Sequence, residues 1–443
     1  MTIGIGLLGL GTVGAGVAQI LATPHGRHPL VGELALRRVA VRDLQRARPI
    51  ELASDLLTTD AEAVVDDPAV DIVVEVMGGL EPARSLILRA IAAGKPVVTA
   101  NKAVIARYGE EIAAAAAARG VYVLIEAAVG GGIPIIEPLK QSLGANRISR
   151  VSGIINGTTN YILSRMADEG AAYAEVLADA QRLGYAEADP AADVQGGDAA
   201  DKIAILAALA YGGSITRSAI PTQGIDRLDA RDVAYADQLG YGLKLLAVAE
   251  QVATTAEGIA ELDVSVNPTL VPRDHPLAGV HGVNNAILVE GDPVGRVMFY
   301  GPGAGAGPTA SAVVADILNI AGIRQVSGAG TSEQPAPLDP LLAAGGWRPC
   351  RLVDPAQTRH RNYVRLRTSD QAGVIGRIGS CFGDAGVSLQ SIVQFQAPSG
   401  SATTQAEIVV ITHEVQEANF RQALAAIEAL PVVDSVAACL RTL

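Results

Sequence analysis

The stretch Ile3-Gly4-Ile5-Gly6-Leu7-Leu8-Gly9-Leu10-Gly11-Thr12-Val13-Gly14-Ala15-Gly16-Val17-Ala18-Gln19-Ile20-Leu21 contains no charged side chain, and the first charge in the chain is Arg27. Apolarity alone would fit a signal peptide or a membrane helix. A signal peptide opens on a basic segment, which is missing here. Six glycines (4, 6, 9, 11, 14 and 16) interrupt the run, and glycine is a poor helix former. The run therefore reads as a buried strand, Ile3–Leu8, then a glycine turn, then a helix from about Thr12 to Leu21. No other stretch is expected to approach the length of a bilayer span. A soluble protein without a membrane partner follows as the expectation.

Gly9-Leu10-Gly11-Thr12-Val13-Gly14 has the spacing of the dinucleotide fingerprint. Its first glycine permits the tight turn, and the second lets backbone approach a pyrophosphate. The third allows close helix–strand packing, with the helix N-terminal N–H groups facing phosphate. A plain glycine turn that binds no nucleotide is the competing reading. Beyond it, Leu34–Val41, Val70–Val76, Pro96–Thr99 and Val121–Ile125 read as strands, alternating with helices Pro82–Ala93 and Glu110–Arg119. This alternation is the α/β signature of a doubly wound, Rossmann-like sheet.

The chain has 443 residues, which predicts two or three domains. Hydrophobic residues at 49% and charged residues at 18% exclude a disordered chain. The net charge of −12 argues against a uniformly basic nucleic-acid surface while leaving room for a local basic patch. Three cysteines, Cys350, Cys381 and Cys439, are too few for a disulfide scaffold and point to a reducing compartment. One local patch follows the second strand: Arg42, Asp43, Arg46 and Arg48. Arginine there favours the 2′-phosphate of NADP, whereas Asp43 keeps NAD open. A solvated basic turn is the bland alternative.

Several segments could carry chemistry. Lys102, in Thr99-Ala100-Asn101-Lys102, follows a buried strand, where parallel sheets present ligand-binding residues. Glu126–Pro134 (EAAVGGGIP) sets a carboxylate beside accessible backbone carbonyls, a hard-cation arrangement that is weak by spacing alone. Gly153–Tyr161 (GIINGTTNY) is either a small polar-substrate turn or a capped helix start. Gly184–Ala210 carries Glu187, Asp189, Asp193, Asp198, Asp201 and Lys202. Asp198 and Lys202 are four apart and share a helix face. A surface ion pair is the simple reading. Placed at the mouth of an apolar helix, the lysine could instead act as general acid toward a carbonyl, with carboxylates binding an ammonium group. Phe299–Gly305 repeats the strand–glycine loop–helix arrangement before a helix Ala310–Ile320, and a flexible crossover is the alternative.

Together the motifs GLGTVG, TANKA, EAAVGGGIP, GIINGTTNYIL, GYAEADPAADVQGGDAADKIAIL and YGPGAG resemble the homoserine dehydrogenase family along essentially the whole chain. The resemblance implies reversible reduction of L-aspartate 4-semialdehyde to L-homoserine. It implies that Gly9, Gly11, Thr12, Val13 and Gly14 bind the dinucleotide, with Arg42 near the 2′-phosphate and Gly184 and Gly303 near nicotinamide. Lys102 would lie between cofactor and substrate, and Lys202 would be the proton donor. Glu187, Asp193, Asp198 and Thr158 would hold homoserine. Glu126 with the carbonyls of Val129, Gly131 and Ile133 would hold sodium or a similar monovalent cation. A cytoplasmic homodimer or homotetramer is also implied.

After a Gly/Pro/Ser-rich linker, Gly328–Pro340, the order strand Tyr363–Arg367, helix Ile375–Ala385, strands Val387–Val393 and Ala406–Thr412, helix Gln416–Ala429 and strand Val432–Val436 is βαββαβ. With Asp370-Gln371-Ala372-Gly373-Val374 and Asp384-Ala385-Gly386-Val387 it resembles the ACT-type amino-acid-sensing domain, which implies L-threonine as effector near a domain interface. Such a domain could equally serve oligomerisation alone. The expected division is a cofactor domain 1–130, closed by a returning segment about 300–325, then an α+β catalytic and dimerisation domain 131–325, a linker 326–355 and a regulatory domain 356–443. Two rivals remain: a semialdehyde dehydrogenase using a cysteine nucleophile, and a non-catalytic sensor on a dehydrogenase scaffold. All three cysteines lie in or just before the regulatory region, and Lys102, Glu187, Asp198 and Lys202 occur together, which weighs against both.

Overall fold

In the computed structural model, which describes residues 2–326, 348–396 and 405–443, Ile3–Leu8 is a wholly buried strand. Its near-continuous apolarity suits a central strand of a sheet covered on both faces. The N-terminal elements are β1 (Ile3–Leu8), α1 (Thr12–Ala22), β2 (Leu34–Ala40), β3 (Leu57–Thr58), α2 (Ala61–Asp66), β4 (Ile72–Glu75), α3 (Ala83–Ala92), β5 (Val97–Thr99), α4 (Lys102–Arg119) and β6 (Val123–Leu124). The sheet runs β3-β2-β1-β4-β5-β6 with every pairing parallel. Strand order reverses between β1 and β4, the switch point beside which doubly wound sheets bind ligands.

The next part contains β7 (Arg147–Ile154), α5 (Gly157–Glu169), α6 (Tyr173–Arg182), α7 (Ala191–Val194), α8 (Gly197–Tyr211), β8 (Gly213–Ser214), α9 (Ala230–Gln238), β9 (Tyr241–Thr254), β10 (Ala260–Pro272), β11 (Asn284–Asp292), β12 (Gly295–Pro302) and α10 (Ala306–Val326). The C-terminal part contains β13 (Arg348–Leu352), β14 (Arg359–Ser369), α11 (Val374–Asp384), β15 (Leu389–Gln396), β16 (Gln405–Thr412), β17 (Val415–Gln416), α12 (Glu417–Glu428) and β18 (Val433–Thr442). The βαββαβ order expected there is present in β14, α11, β15, β16, α12 and β18.

Several expectations need correction. Helix α4 begins at Lys102, eight residues before the expected Glu110, because Asn101 caps it by accepting from the Val104 N–H at 3.2 Å. Lys102 is therefore a helix residue, not a loop residue. Contrary to the expectation of no further span-length apolar stretch, Ala306–Arg324 has the length and apolarity of one. Its Ala310, Val313, Val314, Ile317, Ile320 and Ala321 are buried in the same core as Ile5, Leu7 and Val17, so the apolar face of α10 is spent on the N-terminal parallel sheet. The expected linker Gly328–Pro340 lies outside the described residues. Its continuation is β13, which pairs in parallel with β10 through Ala260 and Cys350.

The C-terminal part is also less separate than its sequence suggests. A single mixed sheet follows the order β12-β11-β7-β9-β10-β18-β14-β16-β15, joined where Thr269 and Leu270 of β10 pair with Arg441 and Thr442 of β18. An ionic cluster reinforces this seam. Arg365 of β14 is 1% exposed and donates to Asp232 of α9 at 2.7 and 3.1 Å and to Glu407 of β16 at 3.0 Å. Arg231 and Tyr235 of α9 donate to Glu407 at 2.6 and 2.7 Å, and the Tyr235 and Phe395 rings stack at 4.2 Å. Removing one member strands desolvated charge on the others. We expect Arg365→Met to lower unfolding free energy by about 3–5 kcal/mol, measured by urea denaturation of the full chain. A loss below ~1 kcal/mol would show that water reaches the cluster.

Candidate active site

The turn after β1 bends where Gly9 takes φ +104°, a left-handed backbone that favours glycine. Gly14 must also lack a side chain, since a Cβ there would stand 2.2 Å from the Gly9 carbonyl oxygen. Gly11 faces open space. It N-caps α1 without any side-chain hydrogen bond, so the first-turn N–H groups at Thr12, Val13 and Gly14 are left for an anion. At the tip of β2, Arg42 is exposed, whereas the Asp43 carboxylate accepts from the Gln45 N–H at 2.8 Å and is used in its own turn.

Three helix starts converge beyond the switch point. Asp198 lies in the first turn of α8 and Lys202 one turn later, on the same face. Asp198 Oδ2 accepts from Lys202 Nζ at 2.7 Å and from Asn156 Nδ2 at 2.9 Å. Its Oδ1 pairs with Lys102 Nζ from the start of α4. Lys202 Nζ also donates to the Ile155 carbonyl at 2.7 Å, just past β7. Asn156 caps α5 by accepting from the Thr159 N–H at 2.9 Å, and its Nδ2 donates to Asp193 at 2.7 Å as well. The side chains of Asp198 and Lys202 are 5% and 10% exposed, but that of Lys102 is 40% exposed. The cluster thus opens toward Lys102.

Burial pushes the Lys202 pKa down, and the Lys102 ammonium adds to that against the pull of Asp198. Burial would raise the Asp198 pKa, yet the two ammonium groups hold it well below the usual carboxylate range. Burial opposes the Lys102 charge too, but Asp198 outweighs it and raises that pKa. Burial raises Asp193. Two lysines flanking the Asp198 carboxylate place hydrogen-bond donors in a largely buried site, an arrangement suited to a developing oxyanion.

The other expected residues are placed as follows. Glu187 is exposed on the loop between α6 and α7, with Gly184 beside it. Thr158 is buried and its hydroxyl donates to the Tyr185 carbonyl at 2.7 Å, which fastens that same loop. Gly303 lies after β12, against Asn285. Sequence reasoning missed Asn156 as the bridge between Asp193 and Asp198, although its N-cap position before Gly157 was readable. It also missed Glu75, buried at the end of β4, which accepts from the Thr99 hydroxyl at 2.7 Å. Burial raises the Glu75 pKa. Thr99 in turn accepts from the Asn101 N–H at 3.0 Å, so this chain sets the start of α4.

Glu126 is buried and its carboxylate accepts from the N–H groups of Ile135, Ile136 and Glu137 at 2.6, 2.9 and 2.8 Å. Carboxylate oxygens of Glu126, Glu137 and Asp316 lie within 4.8 Å of one another. Asp316 is fully buried, its Oδ1 has no partner, and burial raises its pKa well above the usual range. No described hydrogen bond is donated to the carbonyls of Val129, Gly131 or Ile133. Unpartnered oxygens and crowded carboxylates fit a cation. Burial pushes the Cys439 thiol up to about 12 and raises Cys350, opposite to what a thiolate nucleophile needs.

Known proteins match this geometry. The homoserine dehydrogenase family profile matches residues 134–318, the profile of the homoserine dehydrogenase NAD binding domain matches 9–126, and the ACT domain profile matches 362–432. Homoserine dehydrogenase of Synechocystis sp. is 56% identical over 443 residues, covering 100% of both chains. The crystal structure of a homoserine dehydrogenase from Thiobacillus denitrificans superposes with TM-score 0.89 at 43% identity, covering 100% of this chain and 98% of that one. A hyperthermophilic archaeal homoserine dehydrogenase in complex with NADPH superposes with TM-score 0.60 at 28% identity, covering 72% of this chain and 98% of that one. The chain belongs to the homoserine dehydrogenase family of NAD(P)-dependent oxidoreductases and carries a C-terminal ACT domain.

Proposed function

We propose that Lys202 transfers the proton in a reversible, NADP-preferring interconversion of L-aspartate 4-semialdehyde and L-homoserine. The observation that carries this is the Lys102–Asp198–Lys202 bridge. Bound nicotinamide supplies or accepts the hydride. Toward homoserine, Lys202 Nζ donates its proton as the aldehyde oxygen gains charge, and the second ammonium, Lys102, faces the open side between cofactor and substrate. In the oxidative direction Lys202 must be neutral to take the hydroxyl proton, and burial together with Lys102 favours that form. Asp198 holds both lysines, and Asn156 holds Asp198. Glu187 with Asp193, Asp198 and Thr158 receives the substrate, the exposed Glu187 being free to meet its ammonium group.

The first turn of α1, with Gly9, Gly11, Thr12, Val13 and Gly14, takes the pyrophosphate. Exposed Arg42 meets the 2′-phosphate, a preference helped by the engagement of Asp43 in its own turn, and the NADPH complex of the archaeal relative supports the same reading. Gly184 and Gly303 border the nicotinamide half. Glu126 with the Val129, Gly131 and Ile133 carbonyls would hold a monovalent cation such as sodium, whose charge would offset the nearby carboxylates. The division into a cofactor domain 1–130, a catalytic domain 131–325, a linker 326–355 and a regulatory domain 356–443 is part of this reading. So are a cytoplasmic homodimer or homotetramer and L-threonine as effector of the ACT domain. Because β18 is bonded to β10, threonine response is best read by titrating L-threonine into the intact chain. Saturable inhibition is expected, and a flat titration refutes it.

We expect Lys202→Ala to lower kcat by about 10²–10⁴-fold with NADPH affinity intact, read by steady-state kinetics and cofactor fluorescence. Near-normal turnover would remove Lys202 from the chemistry. Homoserine oxidation should rise with pH as Lys202 loses its proton, with a limb below the ordinary lysine range. Lys102→Met takes away a neighbouring cation and should move that limb up by about one pH unit. An unmoved limb would show that another group titrates. Arg42→Ala should reduce the ratio of NADP to NAD efficiency by about tenfold, and an unchanged ratio would assign the 2′-phosphate elsewhere.

A further inference from the structure

Asn285, the second residue of β11, is 1% exposed, and neither its Nδ2 nor its Oδ1 has a hydrogen-bond partner. Buried side-chain amides are nearly always partnered, and one with both atoms orphaned needs a reason. Its surroundings are crowded with backbone. A Cβ placed on Gly303 would stand 1.9 Å from Asn285 Nδ2, and one on Gly157 would stand 3.6 Å from Oδ1. The amide is therefore wedged between the glycine loop after β12 and the first residue of α5. Both segments hold complementary groups that are unused: no described bond ends on the Gly303 carbonyl, and none starts from the N–H groups of Gly157 or Thr158. Along the ladder Ala286 pairs with Ile154 of β7, which sets Asn285 beside Ile155, whose carbonyl accepts from Lys202. On its other side Asn285 pairs with Gly301 of β12.

We infer that Asn285 is a positioning residue that couples the Pro302–Gly305 loop to the start of α5 when the nicotinamide half of the cofactor binds. The Gly303 carbonyl stands against Gly131, so this peptide must turn for its oxygen to meet Asn285, and a glycine there turns without moving a side chain. With that peptide turned, Nδ2 donates to the loop carbonyl while Oδ1 accepts from the first-turn N–H of α5. The cofactor-facing loop, the capping Asn156 and the Ile155 anchor of Lys202 are then fixed relative to one another. The inference rests on reading Gly303 as a border of the nicotinamide half.

The test compares wild type with Asn285→Leu, which keeps the branching and the number of side-chain heavy atoms but is bulkier, and Asn285→Ala. Ala leaves a cavity and Leu crowds the site, so both variants should melt somewhat below wild type, and the decisive readouts are cofactor affinity and exchange. NADPH affinity, read by fluorescence, should weaken about tenfold, while affinity for 2′,5′-ADP, which lacks the nicotinamide half, should hold. Hydrogen exchange should show NADPH protecting residues 302–306 and 156–159 in wild type and not in the variants. Unchanged NADPH affinity, or protection equal to wild type, would overturn the role of Asn285. Equal losses of NADPH and 2′,5′-ADP affinity would do so too by showing a merely structural part. If NADPH fails to protect 302–306 in wild type, the cofactor-facing reading of Gly303 falls, and the coupling falls with it.

Discussion

The arrangement of this active site depends on one carboxylate with two lysines on it. Asp198 sits where solvent scarcely reaches, and an ionised group there is costly unless it is paired and hydrogen-bonded. Lys202 and Asn156 satisfy one oxygen and Lys102 the other. Each partner comes from a different element, so the carboxylate fixes the mutual positions of α4, α5 and α8 as well as its own charge. The result is asymmetric in a useful way. Lys202 is shut in and has its proton weakened, whereas Lys102 is half open and holds its proton more firmly. The two lysines are thereby distinguished by burial together with the charges around Asp198.

Helix ends reinforce this. Lys102 is the first residue of α4, Asn156 caps α5, and Asp198 stands in the first turn of α8. Asparagine side chains cap two of these starts, and all three helix ends bring positive potential to the acidic centre. Those helix starts are themselves held by short polar chains. Glu75 accepts from Thr99, Thr99 from the Asn101 N–H, and Asn101 caps α4 and donates to the Gly79 carbonyl at 2.8 Å. The sequence TANK is thus one hydrogen-bonded device that ends a strand, caps a helix and delivers a lysine.

What the sequence disclosed and what it concealed divide along physical lines. Gly9 and Gly14 were readable because their requirement is steric and local. The Asp198–Lys202 pair was readable because four residues span one helical turn. The start of α4 was misread since Tyr108 and Gly109 interrupt its apolar pattern, and the Asn101 cap that overrides them is a single side chain. The Asp198–Lys102 and Asn156–Asp193 contacts join residues 96 and 37 positions apart, so no periodicity reports them. Asn285 gave no signal at all. Its interest lies in bonds it does not make, which only packing can show.

The same limit explains the regulatory region, whose βαββαβ order was legible while its attachment was not. Strands β10 and β18 are separated by most of the C-terminal half of the chain, yet their pairing makes catalytic and regulatory strands neighbours in one sheet. Beside that seam, α9 is gripped from the regulatory side by Arg365 and Glu407, and on its other side it packs against α5. Helix α5 is the element that Asn156 caps and that carries the bridge to Asp198. Pulling the C-terminal part off α9 would strand the buried Arg365 and Glu407 charges, which is strongly destabilising. The C-terminal part and the helix capped by Asn156, the partner of Asp198, are therefore joined through one packed element, α9.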